Sequence, residues 1–144
     1  MKITGDQSAG LEILAVLNSW DKAICSLDMN QIAEHCAAEV NLFDVTMELQ
    51  GLSSYQKVWS AYEDYFRTGL RVFRDQLNIH AEPDMAFVHG FCKIDVESGK
   101  PTPGVVWCRT TICLRKKSGK WKIIHQHVSL PHPVESIVSM EWNI

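Results

Sequence analysis

His125 and His127 stand one residue apart in the run Trp121-Lys122-Ile123-Ile124-His125-Gln126-His127-Val128-Ser129. Imidazoles titrate near neutral pH, so either one suits proton transfer. A His-x-His pair can also hold zinc, but tetrahedral sites take three or four protein ligands and only two are evident here. A third would have to come from elsewhere, such as Asp44 or His80. The pair is therefore read as proton-transfer or binding groups, with no metal and no cofactor. Strand side chains alternate, which places Trp121, Ile123, His125, His127 and Ser129 on one face. That face starts bulky and apolar and ends polar, so the strand is expected to leave a core and enter a pocket.

Asp44 closes the short alternating run Val40-Asn41-Leu42-Phe43. A carboxylate in a dry cleft, its pKa raised by burial, can take a proton from carbon. An aspartate after a strand also commonly caps a turn, and both readings stay open. Arg109 interrupts an apolar strand beside Trp107 and Thr111. A strand arginine ordinarily faces solvent; on an inward face it either pairs with an acid such as Asp44 or Glu48 or awaits an anionic ligand. Trp20, Trp59 and Tyr62 lie on helical stripes, which are ordinarily core, although some of them must wall any cavity.

The elements that position these residues follow from periodicity. Leu11, Leu14, Leu17, Trp20, Ile24 and Leu27 form the stripe of a helix over 6–27. Asp28 with Gln31 signals the cap of a second short helix. A brief strand ends near Asp44 and can fold back onto Met47-Glu48-Leu49. Ser53 with Gln56 caps a third helix carrying Leu52, Tyr55, Val58, Trp59, Tyr62 and Phe66 and ending near Gly69. From residue 70 the period is two, with strands expected at 70–80, 85–96, 104–116 and 120–130. Pro83-Asp84, Ser98-Gly99-Lys100-Pro101 and Lys117-Ser118-Gly119 mark the turns. The apolar tail, with Val134, Ile137, Val138, Met140 and Trp142, is expected to pack on its own domain or a neighbour. Helices followed by a run of strands predict an α+β fold.

Composition narrows the function. A length of 144 residues predicts a single domain, 1–144. The net charge of −3 offers no basic field for a phosphate backbone, so no nucleic acid partner is expected. Five cysteines without a Cys-x-x-Cys pair argue against a disulfide framework and a zinc knuckle. They fit a reducing, cytoplasmic setting, and no membrane-spanning run is present.

Order and lengths resemble the nuclear transport factor two-like superfamily across nearly the whole chain. The resemblance implies a cone-shaped curved antiparallel sheet wrapped over three N-terminal helices. Trp20 through Asp44 resembles the ketosteroid isomerases and SnoaL-like polyketide cyclases. By that resemblance Asp44 takes the general-base position, Trp20 the position of a donor tyrosine, and Thr111 a place near the second donor. An indole and a hydroxyl share less developing charge than a phenol and a carboxylic acid. Leu77-Asn78-Ile79-His80 and the last hairpin resemble the association domain of calcium/calmodulin-dependent kinases. Arg109-x-Thr111 ahead of Gly119-x-Trp121-x-x-x-His125-x-His127-x-Ser129 is most similar to stand-alone SnoaL-like proteins, among which the chain is placed.

The resemblance implies a small, partly apolar ligand, anionic or carbonyl-containing, and a homodimer. Asp44 and His127 are the expected catalytic residues. Trp20, Trp59, Tyr62, Arg109, Thr111 and His125 are expected to bind substrate. The implied activity is cofactor-free isomerase or cyclase chemistry; the alternative is a non-catalytic binding or oligomerisation module.

Overall fold

A computed structural model describes residues 1–62, 69–96 and 102–131. In chain order the elements are β1 (Lys2–Gly5), α1 (Gln7–Ser26), α2 (Met29–Glu34), β2 (Cys36–Phe43), β3 (Glu48–Gln50) and α3 (Leu52–Tyr62). Then follow β4 (Leu70–Ala81), β5 (Met85–Val96), β6 (Cys108–Lys117) and β7 (Lys120–Ser129). Phe66, the 98–101 turn and the tail from 132 onward lie outside the described residues.

Helix α1 starts where Asp6 Oδ1 accepts from the Ala9 amide at 2.9 Å, and it stops at Leu27, in the left-handed region with φ 53°. Its inner stripe is Ile13, Leu17, Trp20 and Ile24; Leu11, expected on that stripe, is 59% exposed. Asp28 caps α2 as expected, accepting from the Gln31 amide. Leu17, Trp20, Ile32 and Tyr55 meet Val40, Ile79, Val88, Ile112, Leu114 and Ile123 in one core between helices and sheet. Burial of such side chains contributes about 1.5–3 kcal/mol each.

The seven strands of the described residues form one sheet in the order β1-β4-β5-β6-β7-β2-β3. The expected α+β cone is present, but the sheet is mixed rather than purely antiparallel. β1 runs parallel to β4, and β2 runs parallel to β7. Hairpins force antiparallel pairing; these two pairs are joined through helices and are free of that constraint.

Two β-bulges decide which side chains face the helices. In β4 the register shifts between Asp75 and Asn78, with Gln76 at φ 52°. Gly90 stands opposite: a Cβ there would lie 2.9 Å from the Asp75 carbonyl oxygen and 3.0 Å from that of Gln76. Only a glycine lets the bulged backbone come so close. In the last hairpin Leu114 pairs with Ile123 but Cys113 pairs with His125, leaving Ile124 as the extra residue. Each bulge moves the following side chains to the opposite face.

Candidate functional site

A cavity of about 400 Å³ opens between the helices and the inner face of the sheet. Trp20 and Ile24 of α1 and Val58 and Trp59 of α3 form one side. Val72, Arg74, Cys92, Ile94, Cys108, Gln126 and Val128 form the sheet side. Asp44, just beyond β2, completes the rim. Its backbone N–H donates to the Met47 carbonyl at 2.8 Å, which fixes the turn that carries the carboxylate. Asp44 therefore stands both in the turn after β2 and at the cavity.

The strongest polar feature of this wall is Arg74, which alternation counted back from Ile79 and Ala81 would place outside. The Gln76 bulge turns it inward. Arg74 Nε donates to Asp21 Oδ2 at 2.7 Å, and Nη2 donates to Oδ1 at 2.6 Å. The two side chains are 10% and 17% exposed. Burial works against the guanidinium's charge, yet Asp21 outweighs it and the Arg74 pKa rises above its ordinary value. Among the described residues the third nitrogen, Nη1, is buried without a hydrogen-bond partner, and so is the indole Nε1 of Trp20. The guanidinium carbon lies 5.9 Å from the Trp20 ring centre. Two neighbouring side chains in the cavity wall thus each carry a buried, unused N–H donor. A buried donor without a partner costs about 1–3 kcal/mol, so an oxygen acceptor placed there is stabilising.

The structure divides the residues singled out from the sequence. Asp44, Trp20 and Trp59 line the cavity; the Tyr62 side chain lies outside the described residues. His125 and His127 do not share a face with Trp121 and Ile123, because the extra residue Ile124 turns them outward. On the outer face His125 Nδ1 meets Asn41 Oδ1, and Phe43 lies edge-on to both imidazoles. Burial lowers the His125 pKa, as does the charge of His127. His127 is thereby separated from the cone cavity, and it meets Asp44 only at a shallow outer depression at the sheet edge. Thr111 also faces outward, as the register partner of His127; its neighbour Thr110 is the buried one. Arg109 is exposed and donates to the Leu130 carbonyl at 3.1 Å. Of the expected site residues Asp44, Arg109 and His127, only Asp44 lines the cone cavity, and Arg74 and Trp20 line it with Asp44.

Asp21, Arg74, Gln126, Cys92 and Cys108 were missed. Gly90, an isolated glycine inside a strand, was the available signal for Arg74, since it marks a bulge in the partner strand. Among the described residues no group of three or more His, Cys, Asp or Glu is placed to hold a metal ion. No described helix is long and apolar enough to cross a membrane.

Comparison with solved structures agrees with this geometry. A nuclear transport factor two-like protein of unknown function from Pseudomonas putida superposes with a TM-score of 0.79 at 26% identity, covering 91% of this chain and 92% of the other. A cystatin-like protein of unknown function from Nostoc punctiforme gives 0.74 at 17% identity, covering 91% and 96%. A candidate ketosteroid isomerase from Shewanella frigidimarina gives 0.68 at 22% identity, covering 90% and 100%. None of the functionally curated proteins matches. The SnoaL-like domain model matches residues 13–133, and the chain belongs to the SnoaL-like family of the nuclear transport factor two-like superfamily.

Proposed function

We propose that the cone cavity binds a small, largely apolar molecule through a carbonyl oxygen and moves a proton beside that carbonyl, without a cofactor. The observation that carries this reading is the pair of unused buried donors, Arg74 Nη1 and Trp20 Nε1, in the lining of one cavity. Most of the remaining lining is aliphatic or indole, which matches an apolar body. Because Asp21 already neutralises Arg74, the site favours a neutral carbonyl over a free carboxylate. An enolate oxygen, formed transiently, would draw on both donors. Trp20 alone is a weak substitute for a phenol, and the Arg74 N–H adds a second donor. Asp44 is the carboxylate at the rim. It would take a proton from the carbon beside the carbonyl and return it to the same or a conjugated carbon.

The test uses 2-tetralone, a compact ketone that enolises readily. Solvent deuterium incorporation is followed by mass spectrometry with wild type, Asp44→Asn and Arg74→Met. Catalysed exchange in wild type, abolished in Asp44→Asn while binding persists, supports the reading. Exchange that is unchanged in both variants contradicts it. Binding without exchange in any form favours a non-catalytic ligand-binding module.

We further infer a homodimer formed through the outer sheet face. Phe43, Met85 and Phe87 are 41%, 42% and 45% exposed there, among the outward imidazoles of His80, His89, His125 and His127. Large apolar side chains at this exposure suit a second copy better than solvent.

A further inference from the structure

We propose that Cys92 and Cys108 form a redox modification site: a reversible disulfide in the cavity wall. The two are direct register partners across the antiparallel β5–β6 pair. Side chains at directly opposite positions project to the same face, and both of these line the cavity. Opposed Cα atoms in an antiparallel pair are about 4.5–5.5 Å apart. Disulfides span Cα separations of roughly 4.4–6.8 Å, so the backbone need not move far to admit the bond. Both thiols are free.

The surroundings make the pair unequal. Arg74 is the register partner of Cys92 on its other side. Burial pushes the Cys92 thiol up, and the guanidinium opposes that rise. Cys108 is pushed up by burial and pushed further by the Asp44 carboxylate. The oxidant is a small disulfide such as oxidised glutathione. The thiolate of one cysteine attacks one of its sulfurs, the S–S bond breaks and one glutathione thiolate leaves. The other cysteine loses its proton and attacks the protein sulfur of the mixed disulfide, releasing the second glutathione thiolate. Two protein thiols lose two electrons and two protons in all, and one oxidised glutathione becomes two reduced ones.

The other cysteines lack such a partner. Cys113 is on the outward side of β6, opposite Phe87 and His125. Cys36 is buried on β2, its thiol pushed up to about 12 by desolvation. Cys25 lies on α1.

The full chain is incubated with oxidised glutathione at mildly alkaline pH, quenched with N-ethylmaleimide and mapped by peptide mass spectrometry. The expected product is a crosslink joining the Cys92 and Cys108 peptides, with two fewer alkylatable thiols, reversed by dithiothreitol. Cys92→Ser and Cys108→Ser each abolish it, and Cys113→Ser leaves it intact. If a serine variant does not fold, mapping of the wild-type crosslink decides alone. A native protein in which Cys92 and Cys108 stay free while other cysteines react, or in which the crosslink forms only in urea, overturns the proposal.

Discussion

Asp21 holds Arg74 by two parallel hydrogen bonds of 2.6 and 2.7 Å, tying the turn of α1 that carries Trp20 to the middle of β4. This ion pair both braces the fold and sets the chemistry of the wall, because it fixes two guanidinium nitrogens and leaves the third unused. Removing one partner strands a buried charge, which costs about 3–5 kcal/mol. Asp21→Asn is expected to lose much of that stability in urea denaturation, whereas the double variant Asp21→Leu with Arg74→Met loses clearly less. Equal losses in both would show that the pair braces nothing.

Gly90→Ala tests the bulge that turns Arg74 inward. The added Cβ meets two backbone carbonyl oxygens at 2.9 and 3.0 Å, atoms that cannot rotate away. A loss of about 1–3 kcal/mol is expected from such overpacking, read as a lowered thermal midpoint. An unchanged midpoint would mean that the bulge is not held as described.

Acid sensitivity follows from Glu12, which accepts from Trp121 Nε1 at 2.6 Å and from Lys116 Nζ at 3.1 Å. The Trp121 hydrogen bond first, and then Lys116, hold its carboxyl below the ordinary 4.5. A carboxyl with a depressed folded-state pKa contributes stability that is fully present above the unfolded value and is lost as pH falls through the folded one. Glu12→Gln is expected to lower stability by a constant amount between pH 6 and 8, and the gap to wild type is expected to close as pH falls below about 4.5. A gap that stays the same down to strongly acid pH, or no gap at neutral pH, would contradict the assignment.

Much of this arrangement was legible before the structure, and the gaps share a cause. The stripe Leu17-Trp20-Ile24 fixes α1 and Asp28 fixes the start of α2 through local signals, a period and a cap, that need no tertiary partner. Strand β5 falls at 85–96 as its alternation requires. Face assignments failed wherever a bulge intervened, because one extra residue inverts everything beyond it. Ile124 took His125 and His127 out of the pocket, and Gln76 put Arg74 into it. The family resemblance carried Asp44 and Trp20 to the cavity. Thr111 missed by one position, with Thr110 holding the inward place.

The outer face makes its own prediction. An isologous interface of ordinary size buries on the order of 1,600 Å² in total. Light scattering should give a dimer mass at micromolar concentration, and Phe87→Glu should shift it towards monomer. A monomeric wild type would contradict the dimer outright.

The central claim is that Trp20 and Arg74 present their unused donors to a ligand oxygen. The chain has five tryptophans, so its indole N–H resonances can be followed individually by ¹⁵N NMR during titration with 2-tetralone. The account predicts that the Trp20 resonance moves downfield in a saturable manner. Trp121, whose Nε1 already donates to Glu12, should stay in place. Arg74→Met should weaken the binding about tenfold or more, the loss of one hydrogen bond from a charged donor. A Trp20 resonance that does not respond while the ketone demonstrably binds, or an affinity untouched by Arg74→Met, would contradict it.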